Sequence, residues 1–96
     1  MDSKKIINIS QNELEEILKK PKTLLLDVRE ISEFQDFNIG GMNIPPHEIT
    51  EKINLLEKYK NIIVACSNGT RSEIVARLLL KKLPKTQIFH LEEGVF

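Results

Sequence analysis

Short, almost continuously apolar runs alternate along this chain with segments whose apolar residues recur at helical spacing. Residues 23–28 and 62–66 are apolar nearly throughout rather than at every second position, and residues 87–91 form a third, more mixed case. A strand that is apolar on both faces needs cover on both faces, as happens inside a parallel sheet flanked by helices. The alternation therefore predicts an α/β fold with a mostly parallel central sheet and helices on both faces.

The first predicted helix is marked at both of its ends. It follows a short predicted strand at residues 6–9. Ser10 and Glu13 have the Ser-x-x-Glu spacing, in which each side chain satisfies a free backbone N–H at a helix start. Pro21 ends the helix because proline restricts the residue before it. These signals predict a helix over residues 11–20.

Two further helices are predicted from apolar stripes. One follows the two prolines at residues 45–46, and the other runs from Arg71 or Ser72 to Leu83. A spacing of three or four residues places the apolar side chains on one helix face, which then packs on the sheet. The stripes are Ile49, Ile53, Leu56 and Tyr59 in the first of these helices and Ile74, Val75, Leu78 and Leu79 in the second.

The length of the chain allows one hydrophobic core. Of its 96 residues, 41% are hydrophobic and 29% are charged, which is typical of a globular domain rather than of a disordered or fibrous protein. The sequence contains no internal repeat, low-complexity tract or linker-like stretch. We therefore expect a single domain over residues 1–96.

Charge and hydropathy argue against two classes of partner. Fourteen Lys and Arg balance fourteen Asp and Glu, so the chain has no overall basic field that would attract nucleic acid or anionic lipid. No apolar run approaches the roughly 20 residues needed to cross a bilayer. Residues 1–7 lack the long apolar region and cleavage site of a secretory signal. We expect no nucleic-acid partner, no membrane partner, a cytoplasmic location, and a monomer or weak dimer.

The cysteine and histidine content limits disulfide and metal chemistry. A single cysteine cannot form an internal disulfide, and two histidines without repeated cysteine spacing give no zinc pattern. We expect no metal and no cofactor. Any special role for Cys66 must therefore come from its own thiol.

One segment combines the features of a reactive thiolate, because a buried strand ends at Cys66, turns through a small polar loop and opens a helix. Small side chains let the backbone curl with its N–H groups inward, and Gly69 allows a positive φ. The helix start and the permanent charge of Arg71 both favour a nearby anion. We expect the pKa of the Cys66 thiol to lie below its ordinary value of about 8.5. The loop residues expected to hold a bound anion are Ser67, Asn68, Gly69, Thr70, Arg71 and Ser72.

An inert role for this cysteine is the alternative interpretation. Cysteine is among the most buried residue types and usually packs as a small hydrophobe. A cysteine at a strand end followed by glycine, arginine and a helix start is a joint pattern that packing does not require. The combination favours a reactive Cys66.

Three motifs of the chain resemble those of the rhodanese family of sulfurtransferases. They are Leu-Asp-Val-Arg-Glu at residues 26–30 with Glu33 and Phe34, Ile-Gly-Gly-Met-Asn-Ile-Pro at residues 39–45, and Cys-Ser-Asn-Gly-Thr-Arg-Ser at residues 66–72. The last resembles the Cys-x-x-Gly-x-Arg-Ser active-site loop of the family and is the most specific. The match covers roughly residues 24–94, so the chain is similar to a single-domain rhodanese.

The resemblance implies a persulfide mechanism. It implies a six-residue loop from Cys66 to Arg71, in which Cys66 is the catalytic residue and carries sulfane sulfur as a persulfide. The implied donor is a small sulfur-containing anion such as thiosulfate, or a protein persulfide. The implied acceptor is a thiol, a protein or cyanide. The expected enzyme is a rhodanese-type sulfurtransferase of the thiosulfate:cyanide kind.

Two alternatives to this activity fit the same fold. A persulfide carrier or interaction module in sulfur trafficking would share Cys66 but would not turn over. A phosphatase or arsenate reductase would use the same type of loop. The related cysteine phosphatases place the arginine one residue further along, in a wider loop suited to phosphate, so the spacing here favours sulfur.

Several residues outside the loop are expected to serve structure only. Asp27, Arg29 and Glu33 are expected to form an ion pair at the end of a central strand and the start of the next helix. His47 is expected at an exposed helix start and His90 on a strand surface, because no motif connects either to Cys66.

The last residues depart from the family pattern. Glu93 occupies the first glycine position of a Leu-x-Gly-Gly segment, and the sequence stops where the final helix of the family usually begins. We expect the C-terminal helix to be absent or truncated. Phe96 is then expected either to cover part of the core or to mark a patch covered by another subunit.

Overall fold

Within residues 4–96, five parallel strands form a sheet through the centre of the molecule. The computed structural model describes residues 4–96, so the first three residues of the predicted domain lie outside the described part. The strands are β1 (Ile7–Ile9), β2 (Thr23–Asp27), β3 (Met42–Asn43), β4 (Asn61–Ala65) and β5 (Gln87–Leu91). They pair in the order β1-β5-β4-β2-β3, and every pairing is parallel. The predicted α/β class with a parallel central sheet is confirmed.

Helices cover both faces of this sheet, as predicted. They are α1 (Gln11–Leu18), α2 (Ile31–Asp36), α3 (Ile53–Leu56) and α4 (Thr70–Lys82). Leu14 and Ile17 of α1 pack on one face, whereas Val75 and Leu79 of α4 and Leu56 of α3 pack on the other. Among the described helices, even the 13-residue α4 is too short and too polar to cross a membrane.

The second predicted helix is wrong as one continuous element. A single turn of α-helix, α3, stands in its place after two 3-10 turns. Lys52 interrupts the helical path with a φ of −112° and a ψ of 16°. Ile49 and Leu56 are nevertheless fully buried. A 3-10 helix repeats every three residues, so an apolar spacing of three or four does not distinguish it from an α-helix. The 3-10 turns are Pro46–Glu48 and Thr50–Lys52.

Other predicted boundaries move by one or two residues. β1 begins at Ile7, one residue later than predicted, and β2 and β4 end at Asp27 and Ala65, one residue earlier. α1 ends at Leu18, and α4 already begins at Thr70. Hydrogen bonding defines these ends, whereas the sequence pattern reports burial, so small differences are expected.

The carboxyl ends of β2, β4 and β5 are tied together at one edge of the sheet. Val28 donates its backbone N–H to the carbonyl of Ala65 at 2.9 Å. Val95, beyond β5, donates its N–H to the carbonyl of Cys66, also at 2.9 Å. Because ligands of parallel sheets bind beyond this edge, the segment after Cys66 lies where a site is expected.

Phe96 lies on the surface rather than over the core. Its side chain is 70% exposed and stacks on the ring of Phe37, with ring centroids 5.3 Å apart. The guanidinium carbon of Arg29 lies 5.7 Å from the centroid of the same Phe96 ring. The neighbouring Val95 is the buried residue. The expectation that Phe96 covers the core is therefore wrong, and within residues 4–96 no helix follows β5.

Candidate active site

The sulfur of Cys66 lies in a cup formed by the loop that follows β4. Its Sγ accepts the backbone N–H of Gly69 at 3.1 Å and that of Ser72 at 3.3 Å. Gly69 caps the start of α4 with a φ of +92°, which confirms the predicted positive φ. A left-handed residue at this point turns the chain so that successive amides face one centre. The loop thus presents inward-facing N–H groups to the only sulfur among its residues.

Two glycines allow the cup to lie against the segment after β5. A side-chain carbon at Gly69 would collide with the carbonyl oxygen of Glu92. A side-chain carbon at Gly94, which has a φ of +82°, would collide with the carbonyl of Ser67. Both positions therefore need glycine for its backbone conformation and for its lack of a Cβ.

The environment of Cys66 lowers the pKa of its thiol. Burial is the largest single influence and raises the pKa. The Ser72 hydroxyl and the backbone amides of Ser72, Asn68 and Gly69 act in the opposite direction, because their hydrogen bonds favour the thiolate. Together they outweigh burial, so the pKa lies below its ordinary value. The direction agrees with the sequence-based expectation.

The hydrogen bonds of Arg71 go to Glu33 and Ser67, and its interaction with the Cys66 sulfur is one of charge only. Its guanidinium donates to both carboxylate oxygens of Glu33, at 2.6 and 3.0 Å, and to the Ser67 hydroxyl at 3.0 Å. The hydrogen bonds that reach the sulfur come from the loop amides and from Ser72 instead. Arg71 therefore lies at the loop as a half-buried cation already paired with Glu33 of α2.

The remaining loop residues differ in burial and in their distance from the Cys66 sulfur. Asn68 accepts the N–H of Thr70 at 3.1 Å through its side-chain oxygen, which lies 4.0 Å from the Cys66 sulfur. The side chains of Asn68 and Thr70 are exposed, whereas Gly69 and Ser72 are buried. The structure thus brings Gly69 and Ser72 directly to Cys66, leaves Ser67 with Arg71, and turns Thr70 toward a neighbouring cleft.

His90 belongs to the same cluster, and its expected exposure on a strand surface is wrong. It is 6% exposed, and its Nε2 lies 2.8 Å from the Ser72 hydroxyl oxygen and 3.2 Å from the carbonyl of Gly69. The Ser72 oxygen lies 3.3 Å from the Cys66 sulfur. The sequence did contain one sign of this location, because His90 lies near the carboxyl end of a predicted strand, where ligands of parallel sheets bind. That strand, β5, pairs with β4. His47, in contrast, is largely exposed, as expected.

Asp27 and Arg29 form an ion pair at the end of β2, and both side chains are 1% exposed. The Arg29 guanidinium donates to Asp27 through Nε at 3.0 Å and through a terminal nitrogen at 2.8 Å. It also donates to the carbonyl of Phe37, which closes α2. Glu33, expected in the same pair, instead contributes its carboxylate to Arg71. The pair at Asp27 thus fixes α2, and α2 carries the partner of Arg71.

A cleft of about 300 Å³ opens beside the cup, on the β1 and β5 side. It is lined by Asn8, His90 and two carboxylates, those of Glu73 and Glu92, among others. Cys66 itself is buried and is not among the residues that line this cleft. Within residues 4–96, no group of three or more His, Cys, Asp or Glu residues is placed to hold a metal ion.

A family pattern and two curated proteins match this chain. The sequence pattern of the Rhodanese-like domain matches residues 10–96. The Bacillus subtilis (strain 168) protein named "Putative sulfur carrier protein YrkF" is 39% identical over 59 residues, or 60% of this chain and 32% of that protein. YqhL of the same strain is 35% identical over 74 residues, or 76% of this chain and 58% of YqhL. This chain therefore spans about a third and somewhat over half of these two relatives.

A solved structure agrees with the sequence comparisons. The crystal structure of a rhodanese-related protein from Thermoplasma volcanium superimposes with a TM-score of 0.77 and 31% sequence identity. The match covers 92% of this chain and 85% of that one. The likeness therefore extends over nearly the whole chain.

Proposed function

The chain belongs to the rhodanese-like domain family, and on that premise we propose that it is a sulfurtransferase which carries sulfane sulfur on Cys66. The observation that carries the proposal is the pair of backbone N–H groups, from Gly69 and Ser72, that point at the Cys66 sulfur. A sulfur held by such donors is stabilised as an anion, and the anion is the nucleophile in sulfur chemistry.

The proposed first step loads the enzyme. The Cys66 thiolate attacks the outer sulfur of thiosulfate, a new sulfur–sulfur bond forms, and the bond inside thiosulfate breaks. Sulfite leaves with the electron pair, and Cys66 becomes a persulfide anion. A protein persulfide reacts in the same way, with a thiolate as the leaving group. The charge is conserved in either case, so no oxidant or reductant is needed.

The proposed second step unloads the enzyme. An acceptor thiolate, or cyanide, attacks the terminal sulfur of the persulfide, and the Cys66 thiolate leaves with the electron pair of the broken bond. The products are a new persulfide or thiocyanate. Preorganised backbone donors suit both steps, because a negative sulfur is present before and after each one. We propose that Gly69 and Ser72 supply these donors.

Arg71 is the proposed contact for the anionic part of the donor. Its planar guanidinium matches two oxygens of a sulfur oxyanion as it matches the two oxygens of Glu33. An incoming anion therefore competes with Glu33 for the same donors. Ser67, which accepts a hydrogen bond from Arg71, keeps the guanidinium beside the loop during this exchange.

Intact-protein mass spectrometry after incubation with thiosulfate tests the proposal. We expect the wild-type protein to gain the mass of one sulfur atom and to lose it on addition of cyanide, with release of thiocyanate. Cys66→Ala serves as the matched control and gains nothing. Failure of the wild-type protein to gain sulfur, or an equal gain on Cys66→Ala, would overturn the proposal.

A persulfide carrier that does not turn over with thiosulfate is the second candidate. The name of the similar Bacillus subtilis protein favours it, although the likeness covers only 32% of that protein. A carrier would accept sulfur from a partner protein, such as a cysteine desulfurase, and deliver it to another. Loading by a desulfurase without measurable thiocyanate formation would favour the carrier. We propose a cytoplasmic location for either activity, because a reducing compartment keeps a single cysteine free of disulfides.

A further inference from the structure

We propose that Ser72 and His90 form a proton relay that connects the Cys66 thiol to the cleft lined by Asn8, Glu73 and Glu92. In this role His90 is a positioning residue and proton acceptor that acts through Ser72. The inference rests on the proposed function, because a sulfurtransferase must lose the thiol proton before it attacks a donor.

The relay is a continuous line of short contacts. The Cys66 sulfur lies 3.3 Å from the Ser72 hydroxyl oxygen, which lies 2.8 Å from Nε2 of His90. On the other side of the ring, Nδ1 lies 3.2 Å from the side-chain oxygen of Asn8 in β1. Cys66 and Ser72 are fully buried and His90 is 6% exposed, so bulk water does not replace these contacts.

The donors and acceptors along this line are consistent before and after proton transfer. With a neutral thiol, the S–H donates to Ser72 and the Ser72 O–H donates to Nε2 of His90. Transfer moves the thiol proton to the Ser72 oxygen and the original Ser72 proton to Nε2. The Ser72 hydroxyl then donates to the thiolate, and Nε2–H donates to Ser72. No atom is lost, and the two hydrogen bonds from Cys66 to Ser72 and from Ser72 to His90 are retained with their directions reversed.

Both ring nitrogens of His90 lie within hydrogen-bond distance of oxygen atoms. Besides the Ser72 hydroxyl, Nε2 lies 3.2 Å from the carbonyl oxygen of Gly69, and Nδ1 lies 3.2 Å from the side-chain oxygen of Asn8. The carboxylates that line the cleft together with His90 are those of Glu73, from α4, and Glu92, after β5. Glu73 is also paired with Arg77 at 2.7 Å, on the exposed side of α4.

The line of contacts from the Cys66 sulfur to His90 runs on the side of β4 away from Arg71. In the sheet order, β1 and β5 lie on one side of β4 and β2 lies on the other. The cleft with Asn8 and His90 belongs to the first side, whereas Arg71 and Glu33 lie toward β2 and α2. The proposed proton acceptor, His90, and the proposed anion contact, Arg71, therefore lie on different sides of β4.

The pH dependence of Cys66 alkylation by iodoacetamide tests the relay without any sulfur donor. We expect Ser72→Ala and His90→Gln each to raise the midpoint of this profile by about one pH unit, the size expected for one lost hydrogen bond to a charged group. Ser72→Thr keeps the hydroxyl and the wild-type midpoint. His47→Gln, at an exposed histidine, is the matched control and has no effect.

The double variant Ser72→Ala with His90→Gln distinguishes a relay from two separate structural roles. Because both changes break the same line of hydrogen bonds, we expect the double variant to have the midpoint of Ser72→Ala alone. Additive shifts, or single variants within 0.2 pH unit of wild type while they remain folded by circular dichroism, would overturn the relay.

Sulfur loading is measured separately on the same variants. If wild type gains no sulfur from thiosulfate but the alkylation midpoint depends on both residues without additivity, the relay stands and the sulfurtransferase proposal fails. If wild type gains sulfur and neither residue changes the midpoint, the relay fails and the sulfurtransferase proposal stands.

Discussion

The carboxylate of Glu33 and the guanidinium of Arg71 form a two-point ion pair, with N–O distances of 2.6 and 3.0 Å. The pair joins α2 to the loop around Cys66, although its members are 38 positions apart in the sequence. The hydrogen bond from Arg71, with help from the Glu30 backbone, lowers the pKa of Glu33 to about 2, and the pKa of Arg71 is raised in turn. The cation beside the candidate site is thus held by a carboxylate that an anionic substrate must displace.

Glu33→Gln is expected to lower stability at neutral pH but not in strong acid. The ordinary Glu value is 4.5 and the folded pKa of Glu33 is about 2. The ionised pair therefore stabilises the folded protein fully above about pH 4.5, and this contribution is lost as the pH falls through about 2. Because both side chains are about a third exposed, we expect about 0.5–1 kcal/mol at pH 7.

Urea unfolding at pH 7, 4 and 2.5 measures this difference between wild type and Glu33→Gln. Glu16→Gln is the matched control, because Glu16 pairs with Lys19 on a highly exposed surface and its removal changes little. A wild-type advantage that stays constant down to pH 2.5 would contradict the assigned role of the pair.

Arg71→Lys is expected to reduce the rate of sulfur loading from thiosulfate by about 100-fold, since lysine lacks the planar fork that binds two oxygens. The pH midpoint of Cys66 alkylation is expected to change little, because the hydrogen bonds to the sulfur come from Ser72 and the loop amides. Stopped-flow loading and alkylation profiles measure the two effects on one preparation. A large upward shift of the alkylation midpoint would instead show that Arg71 maintains the thiolate.

Asp27→Asn is expected to destabilise the fold by about 3–5 kcal/mol, because it leaves the buried Arg29 guanidinium without its counter-charge. Guanidinium chloride unfolding checks the value. The exposed Glu16→Gln again provides the comparison, with an expected change below about 0.5 kcal/mol. A loss of less than about 1 kcal/mol in Asp27→Asn would mean that the pair at the end of β2 is not needed to hold α2.

Gly69→Ala and Gly40→Ala form a matched pair, because both glycines have a positive φ, +92° and +98°, but only Gly69 lies against another backbone segment. Gly40 has no atom near its missing Cβ, so its substitution costs only backbone strain, about 1–3 kcal/mol. Gly69→Ala adds a collision with the carbonyl of Glu92. We expect it to be the less stable variant in thermal unfolding and to slow Cys66 alkylation, which Gly40→Ala leaves unchanged. Equal stability of Gly69→Ala and Gly40→Ala would contradict the close approach of the Glu92 carbonyl to Gly69.

The pattern of apolar residues was enough to predict the fold class, since burial on both faces leaves a continuous apolar run in each central strand. The turn after β4 and the helix start that follows it could also be predicted, because small residues and one glycine are local features of residues 66–72. The apolar spacing after residue 46 indicated one continuous helix, but the structure has two 3-10 turns before α3. Both helix types can bury residues three apart, so the spacing did not distinguish them.

The sequence by itself therefore determined the parallel sheet and the place of Cys66 at the end of β4, because these depend on local periodicity and on residues adjacent in the chain. Only the tertiary structure decided that Glu33 pairs with Arg71 and that His90 reaches Ser72. Those contacts form because parallel pairing brings the ends of distant strands to one edge, and no local spacing encodes which side chains meet there.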